Sequence, residues 1–172
     1  MTTSGGDAVS RPAQLDRAAA AQMWADYVAA HPEHLSESPP SEQFGDSPEM
    51  ADELVGLVMH GPKRATAGAL ADYAHAGEDL PRIGGHWIVH DGAGTPRVVL
   101  RSIELRVGPL DSVDDAFAWD EGEDDRTRES WLDGHTRFFR RSLGRIGVEF
   151  HSGIEVVFER FRVVWPPELA DD

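Results

Sequence analysis

The chain has 172 residues, 31 Asp and Glu against 16 Lys and Arg, a net charge of −15 and no cysteine. That length suits one domain with a core of its own, and the missing cysteine excludes a disulfide framework, thiolate metal sites and cysteine catalysis. The negative field opposes a long polyanion track and favours a short ligand; no stretch nears the roughly 20 apolar residues of a membrane span and the start lacks a signal peptide's blocks, so a cytoplasmic protein without membrane contact is expected.

Residues 1–11 are small and polar and read as a disordered tip. From Pro12, Leu15, Ala19, Met23 and Tyr27 recur every four residues beside Trp24 and Val28, which predicts an amphipathic helix ending before Pro32. A proline-rich connector completes residues 12–40. Asp46 or Ser47 is placed to cap a second helix, with Pro48 and Glu49 in its first turn, Met50, Leu54, Leu57 and Val58 as its buried stripe and Gly61 as its end.

The period then changes to two. His86–His90 and 97–107 read as strands joined by the turn-rich loop 91–96, the second strand having a wet face through Glu104 and Arg106. Ser112 is expected to cap a short helix through Trp119, and a longer helix runs from Thr127 to Leu143 with Trp131, His135, Phe138 and Phe139 on one side. In the last strand, residues 154–165, the apolar parity switches between Phe158 and Phe161, which predicts an interruption near Glu159–Arg160. Helices around a mostly antiparallel, curled sheet make the fold class α+β. An acidic tail, 167–172, closes the chain, and there is no repeat or second domain.

Two segments carry chemistry. After the helix-ending Gly61, Lys63 and Thr66 stand three apart, a cation and a hydroxyl in one turn. A threonine hydroxyl needs a neighbouring base to become a nucleophile, and a desolvated lysine can supply one; a charged lysine would instead stabilise an oxyanion or a phosphate. Glu121 and Glu123, two apart around Gly122, face the same way and offer the carboxylate such a pair needs. The acidic run 120–125 lacks the spacing of an EF-hand loop, His86 and His90 are roughly 13 Å apart along a strand, and no third ligand accompanies His31 and His34, so no metal site and no cofactor is expected. His135 can stack on or bond to a base. Arg126, Arg128, Arg137, Arg140, Arg141 and Arg145 form a local basic segment, a solvated helix face or a phosphate contact.

The ordered pieces Phe44-Gly45-Asp46, Ala51-Asp52-Glu53-Leu54, Gly61-Pro62-Lys63-Arg64-Ala65-Thr66, Leu80-Pro81-Arg82-Ile83-Gly84, Glu121-Gly122-Glu123, Trp131, His135, Phe138-Phe139 and Glu159-Arg160-Phe161 resemble the bacterial ASCH (activating signal cointegrator homology) domain over roughly residues 41–166. The resemblance implies a PUA-like fold, a small closed β-barrel surrounded by helices, with a cleft beside the Gly-x-Lys motif suited to RNA or a modified nucleoside. In the smallest members a Lys, a Thr three residues on and a Glu are assigned to hydrolysis of acylated cytidine. Those positions match Lys63, Thr66 and Glu123. Thr66 and Gly68 replace the Glu and Arg of the general pattern, which favours the amidohydrolase-like subgroup.

Two functions follow. In the first, Thr66 attacks an amide carbonyl or orients water, Lys63 takes up the proton, and Glu123 protonates the leaving amine of an N-acylated pyrimidine nucleoside. Tyr73, Trp131 or His135 stacks on its base, and Glu121 is the alternative carboxylate. In the second, Lys63 and arginines such as Arg128 hold a short single-stranded RNA, bound or cleaved. Lys63, Thr66 and Glu123 are expected within hydrogen-bonding or one-water reach, and the turn position of Lys63 suggests that it can be removed without harming the fold. The N-terminal helix covers a sheet edge or mediates a homodimer.

Overall fold

The computed structural model describes residues 13–172, so the expectation for residues 1–11 lies outside the described residues. The elements in chain order are α1 (Arg17–Ala30), β1 (Ser41–Gln43), α2 (Pro48–His60), β2 (Ala65–Ala69), α3 (Leu70–Ala76), β3 (His86–His90), β4 (Pro96–Pro109), α4 (Asp115–Glu121), α5 (Arg128–Arg145) and β5 (Glu155–Trp165), with short 3-10 turns at 32–34 and 110–112. Helix starts follow local chemistry. Asp16, Ser47, Asp114 and Thr127 each accept a first-turn amide, for α1, α2, α4 and α5. The cap expected at Ser112 therefore moves to Asp114, because Leu110–Ser112 is used by its own 3-10 turn.

The five strands form one sheet in the order β1-β3-β4-β5-β2, with only β1 and β3 parallel. It curls into a half-barrel. The closed barrel that the resemblance implied is not formed, since β1 and β2 are opposite edges of the sheet.

β5 is buried on both faces, which explains its apolar parity. Val156 and Phe158 pack with Phe117, Trp131, Phe139 and Leu143 of α4 and α5. Phe161 and Val163 pack on the other side with Trp87, Val89, Val98 and Leu100, against Val55 and Val58 of α2. β5 itself pairs with β2 through Glu159 and Arg160 without a break. The expected interruption occurs on the other side of β5, in its pairing with β4, where the register shifts between Phe161 and Arg160 because Ile103 is an extra residue on β4.

α1 packs Ala20, Met23 and Trp24 onto Ile88 and Val99. Its Tyr27 hydroxyl bonds His86 Nε2 at 3.0 Å, while Glu37 joins His34 Nδ1 and His86 Nδ1, each at 2.8 Å. The acidic tail is not loose: Asp171 accepts from Arg64 Nη2 at 2.8 Å and from the Val163 amide at 2.9 Å. Among the described residues no helix is long and apolar enough to cross a membrane.

Candidate functional site

Gly61 ends α2 and the chain turns through Pro62 into β2, which leaves Lys63 buried beside the end of α4. Its side chain is 1% exposed. Nζ donates to the Ala65 carbonyl at 2.9 Å and to Glu123 Oε1 at 2.6 Å, lies 3.6 Å from Glu121 Oε1 and sits 5.2 Å from the centre of the Phe44 ring. The partners arrive from α4: Glu121 is its last residue, Gly122 takes φ +69° at its C-terminus, and Glu123 follows. The Arg64 amide donates to the Asp120 carbonyl at 2.8 Å and locks the two segments side by side.

Glu121 is 1% exposed and fully engaged. It accepts from Trp131 Nε1 and, at 3.0 Å, from His135 Nε2, one turn apart on α5. His135 Nδ1 faces the Trp131 carbonyl at 2.9 Å, which can only accept, so both ring nitrogens act as donors and the imidazole is cationic. Burial works against both charges. The His135 and Lys63 charges and the bonds from His135 and Trp131 outweigh it at Glu121, whose carboxyl is held below its usual range. At His135 burial is likewise overcome, chiefly by the Glu121 charge, and the imidazole is raised.

A cavity of about 290 Å³ opens above this network, lined among others by Phe44, Thr66, Glu121, Glu123, Trp131, His135, Phe138, Arg137 and Arg141. The Lys63–Glu123 contact is direct. Thr66 lines the same cavity, and its hydroxyl is bonded to neither of them among the described residues. His135 stacks on the Trp131 indole at 3.8 Å, so that face of Trp131 is taken by the protein's own imidazole, and the Phe158 ring lies 6.0 Å from the indole. Tyr73 belongs to neighbouring hollows and is absent from this lining. Arg128 is turned away: its guanidinium holds the carbonyls of Val113 and Asp111 at 2.6 and 2.7 Å.

The aromatic rings that do line the cavity, besides Trp131 and His135, are Phe44 and Phe138. Phe138 stood in the aromatic stripe of α5 without a feature to distinguish it from core. Of the basic segment, Arg137 and Arg141 reach the cavity, paired with Asp133 and, at 3.1 Å, Asp46. Arg126 packs on Trp119 and Arg140 on Phe150.

Among the described residues, two groups bring three metal-ligating atoms within 4.8 Å of one another, Glu121–Glu123–His135 and His34–Glu37–His86. In the first the Lys63 ammonium nitrogen already stands between the carboxylates. In the second the imidazoles, the Glu37 carboxylate and the Tyr27 hydroxyl satisfy one another as a network pinning α1 to β3. Sequence spacing missed that network because Glu37 and His86 are 49 positions apart.

The fold is shared with solved structures. A crystal structure of a protein from Enterococcus faecalis is similar with a TM-score of 0.78 and 30% identity, over 86% of this chain and 89% of that one. An ASCH domain from Lactobacillus crispatus superposes with a TM-score of 0.79 at 24% identity, over 88% of this chain and 97% of that one. No curated protein matches. The model of the ASCH domain matches residues 41–165, most of the chain, and the chain belongs to that family.

Proposed function

We propose that the Lys63–Glu123 cavity is the active site of a metal-independent hydrolase for an N-acylated pyrimidine nucleoside. The observation that carries this reading is the 2.6 Å contact between the buried Lys63 and Glu123, whose side chain lines a cavity that Thr66 also lines. Exposure supports a division of roles. The Glu123 side chain is 25% exposed and that of Lys63 1%, so Glu123 is the group that meets the substrate, and Lys63 orients it from below.

Glu123 accepts the proton as Thr66, or a water held by it, adds to the amide carbonyl carbon. The C–N bond then breaks and the leaving amine takes that proton from Glu123. If Thr66 is the nucleophile, water cleaves the resulting ester with the same base. The Lys63 charge favours the negative charge that develops at the carbonyl oxygen. Phe138 and Phe44 provide apolar walls for the base, while Glu121, anchored by His135 and Trp131, fixes the height of Lys63.

The second reading is a short single-stranded RNA as ligand, favoured by Arg137 and Arg141 beside Phe138 at the cavity wall. Both arginines are paired with aspartates, which weakens them as phosphate contacts. Incubating the protein with N4-acetylcytidine and with RNA oligomers tests the readings together. Release of acetate and cytidine supports the hydrolase. RNA binding that falls steeply with salt, without nucleoside turnover, would replace it.

A further inference from the structure

The half-barrel stays open between its edge strands β1 and β2, and a second cavity, of about 280 Å³, lies in that opening. Glu42 and Gln43 of β1 and Ala67 and Gly68 of β2 line it. Thr66, Ala67, Phe44 and Phe138 line this cavity and the Lys63–Glu123 cavity alike, so the two hollows meet along β2.

What β2 offers at that junction is backbone. Ala65, Ala67 and Ala69 turn their methyl groups into the core under α4 and α5, while the N–H and C=O groups of successive strand residues point alternately to the two sides within the sheet. Two bonds fix the phase. The Arg64 carbonyl accepts from the Phe161 amide of β5 at 3.0 Å, and the next carbonyl, that of Ala65, turns the other way and accepts from Lys63 Nζ at 2.9 Å. The β2–β5 register runs unbroken from Ala65 to Ala69, so Ala67 repeats Ala65 and points its N–H and C=O away from β5. Among the described residues β5 is the only strand beside β2, and no turn or loop backbone bonds to Ala67. A donor and an acceptor therefore stand side by side without a backbone partner, about 7 Å along the strand from the carbonyl that holds Lys63. Such an edge is a ready template for a planar group that carries the complementary pair.

We propose, resting on the hydrolase reading above, that the Ala67 backbone reads the base of the substrate: its N–H donates to ring nitrogen N3 of an N4-acylated cytosine, and its C=O accepts from the N4–H of the amide to be cleaved. The ring lies beside Phe44 and Phe138, the two aromatic residues common to both cavities. These two bonds hold the amide against Thr66 and Glu123, and they select a base with an acceptor next to a donor over an acylated aniline, which has no ring acceptor to offer.

The test measures binding apart from turnover. The full chain is titrated calorimetrically with cytidine, with 3-deazacytidine, which has C–H in place of N3, and with the pyrimidin-2-one riboside, which lacks the N4 amino group; each analogue is expected to bind about tenfold more weakly than cytidine. Ala67→Pro removes the N–H at an outward edge position where no ladder bond is lost. Folded as judged by thermal melting, it is expected to bind cytidine about tenfold more weakly and 3-deazacytidine as the unaltered protein does. A preference for cytidine over both analogues without hydrolysis of N4-acetylcytidine would keep the base-reading edge and remove the hydrolase. Hydrolysis of N4-acetylcytidine with 3-deazacytidine bound as well as cytidine would keep the hydrolase and overturn the proposal. No binding of cytidine, or an equal loss of cytidine and 3-deazacytidine in folded Ala67→Pro, would overturn it as well.

Discussion

Gly122 and Lys63 touch through their backbones: a Cβ on Gly122 would stand 2.8 Å from the Lys63 amide nitrogen and 3.0 Å from its Cα. The same glycine adopts φ +69°, a conformation that costs an L-residue energy even in open space. Only glycine can therefore bring the Glu-Gly-Glu turn onto the Gly-Pro-Lys turn. Gly122→Ala is expected to destabilise the fold by about 2–4 kcal/mol from strain and overpacking together. A thermal melt within a degree of the parent's would show that the turn adapts.

The Glu121–His135 pair makes stability depend on pH in a known direction. Folding raises His135, so its contribution is fully present below the ordinary histidine value of 6.5 and is lost as pH rises through the folded value. Folding lowers Glu121, so its contribution is present above 4.5 and lost as pH falls through the folded value. Both act together between those limits. His135→Gln is expected to cost about 3 kcal/mol near pH 6, the scale of a broken buried pair, and less at pH 10. Melting curves of both proteins across that range check the sign, and a penalty that grows with pH would contradict it.

Glu159 works in the opposite sense from Glu121. Its folded carboxyl stands at about 7 against an ordinary 4.5, so folding favours the protonated form and its contribution fades as pH rises from 4.5 through 7. Glu159→Gln is neutral at every pH and keeps an oxygen for Ser102. It is expected to be more stable than the parent at pH 8, by at most about 3 kcal/mol, with the gain vanishing near pH 4.5. Equal melting temperatures at both pH values would mean that solvent or an ion satisfies this carboxylate.

What the sequence disclosed was mostly local. The Ser47 cap, the Gly61 end of α2 and the aromatic stripe of α5 are signals written within a few residues, and each stands where expected. The Lys63–Glu123 contact spans 60 positions; the residues suggested a carboxylate partner at Glu121 or Glu123, and the family resemblance chose Glu123. The rest depended on burial. Parity in β5 assumed one wet face, whereas helices cover one side and the α2 core the other. The Tyr73 ring suits stacking on a base, but α3, a helix of seven residues without a side-chain cap, carries it into the hollows beside the Lys63–Glu123 cavity. Arg128 gave no sign that backbone carbonyls would hold its guanidinium.

Lys63 cannot be tested in the simplest way. Its 1% exposure and its contacts with two carboxylates overturn the expectation that it can be deleted cleanly from a turn, because Lys63→Ala would leave Glu123 without its cation and Glu121 with His135 alone, and cost about 3–5 kcal/mol of stability. The informative variants are at the cavity surface. Glu123→Gln keeps a hydrogen-bond acceptor for Lys63, and Glu121 still faces the ammonium, so it is expected to cost less stability than Lys63→Ala; it cannot carry the proton, so a loss of 10²–10⁴ in kcat on N4-acetylcytidine is expected in the folded protein. Thr66→Val removes the hydroxyl at similar shape and should fall as far, whereas Thr66→Ser should retain measurable turnover. Glu123→Gln combined with Thr66→Val should lose little more than either alone, since groups acting in one step are not additive. Full turnover in Thr66→Val would remove the threonine from the mechanism, and full turnover in Glu123→Gln would remove the proton carrier on which the whole assignment turns.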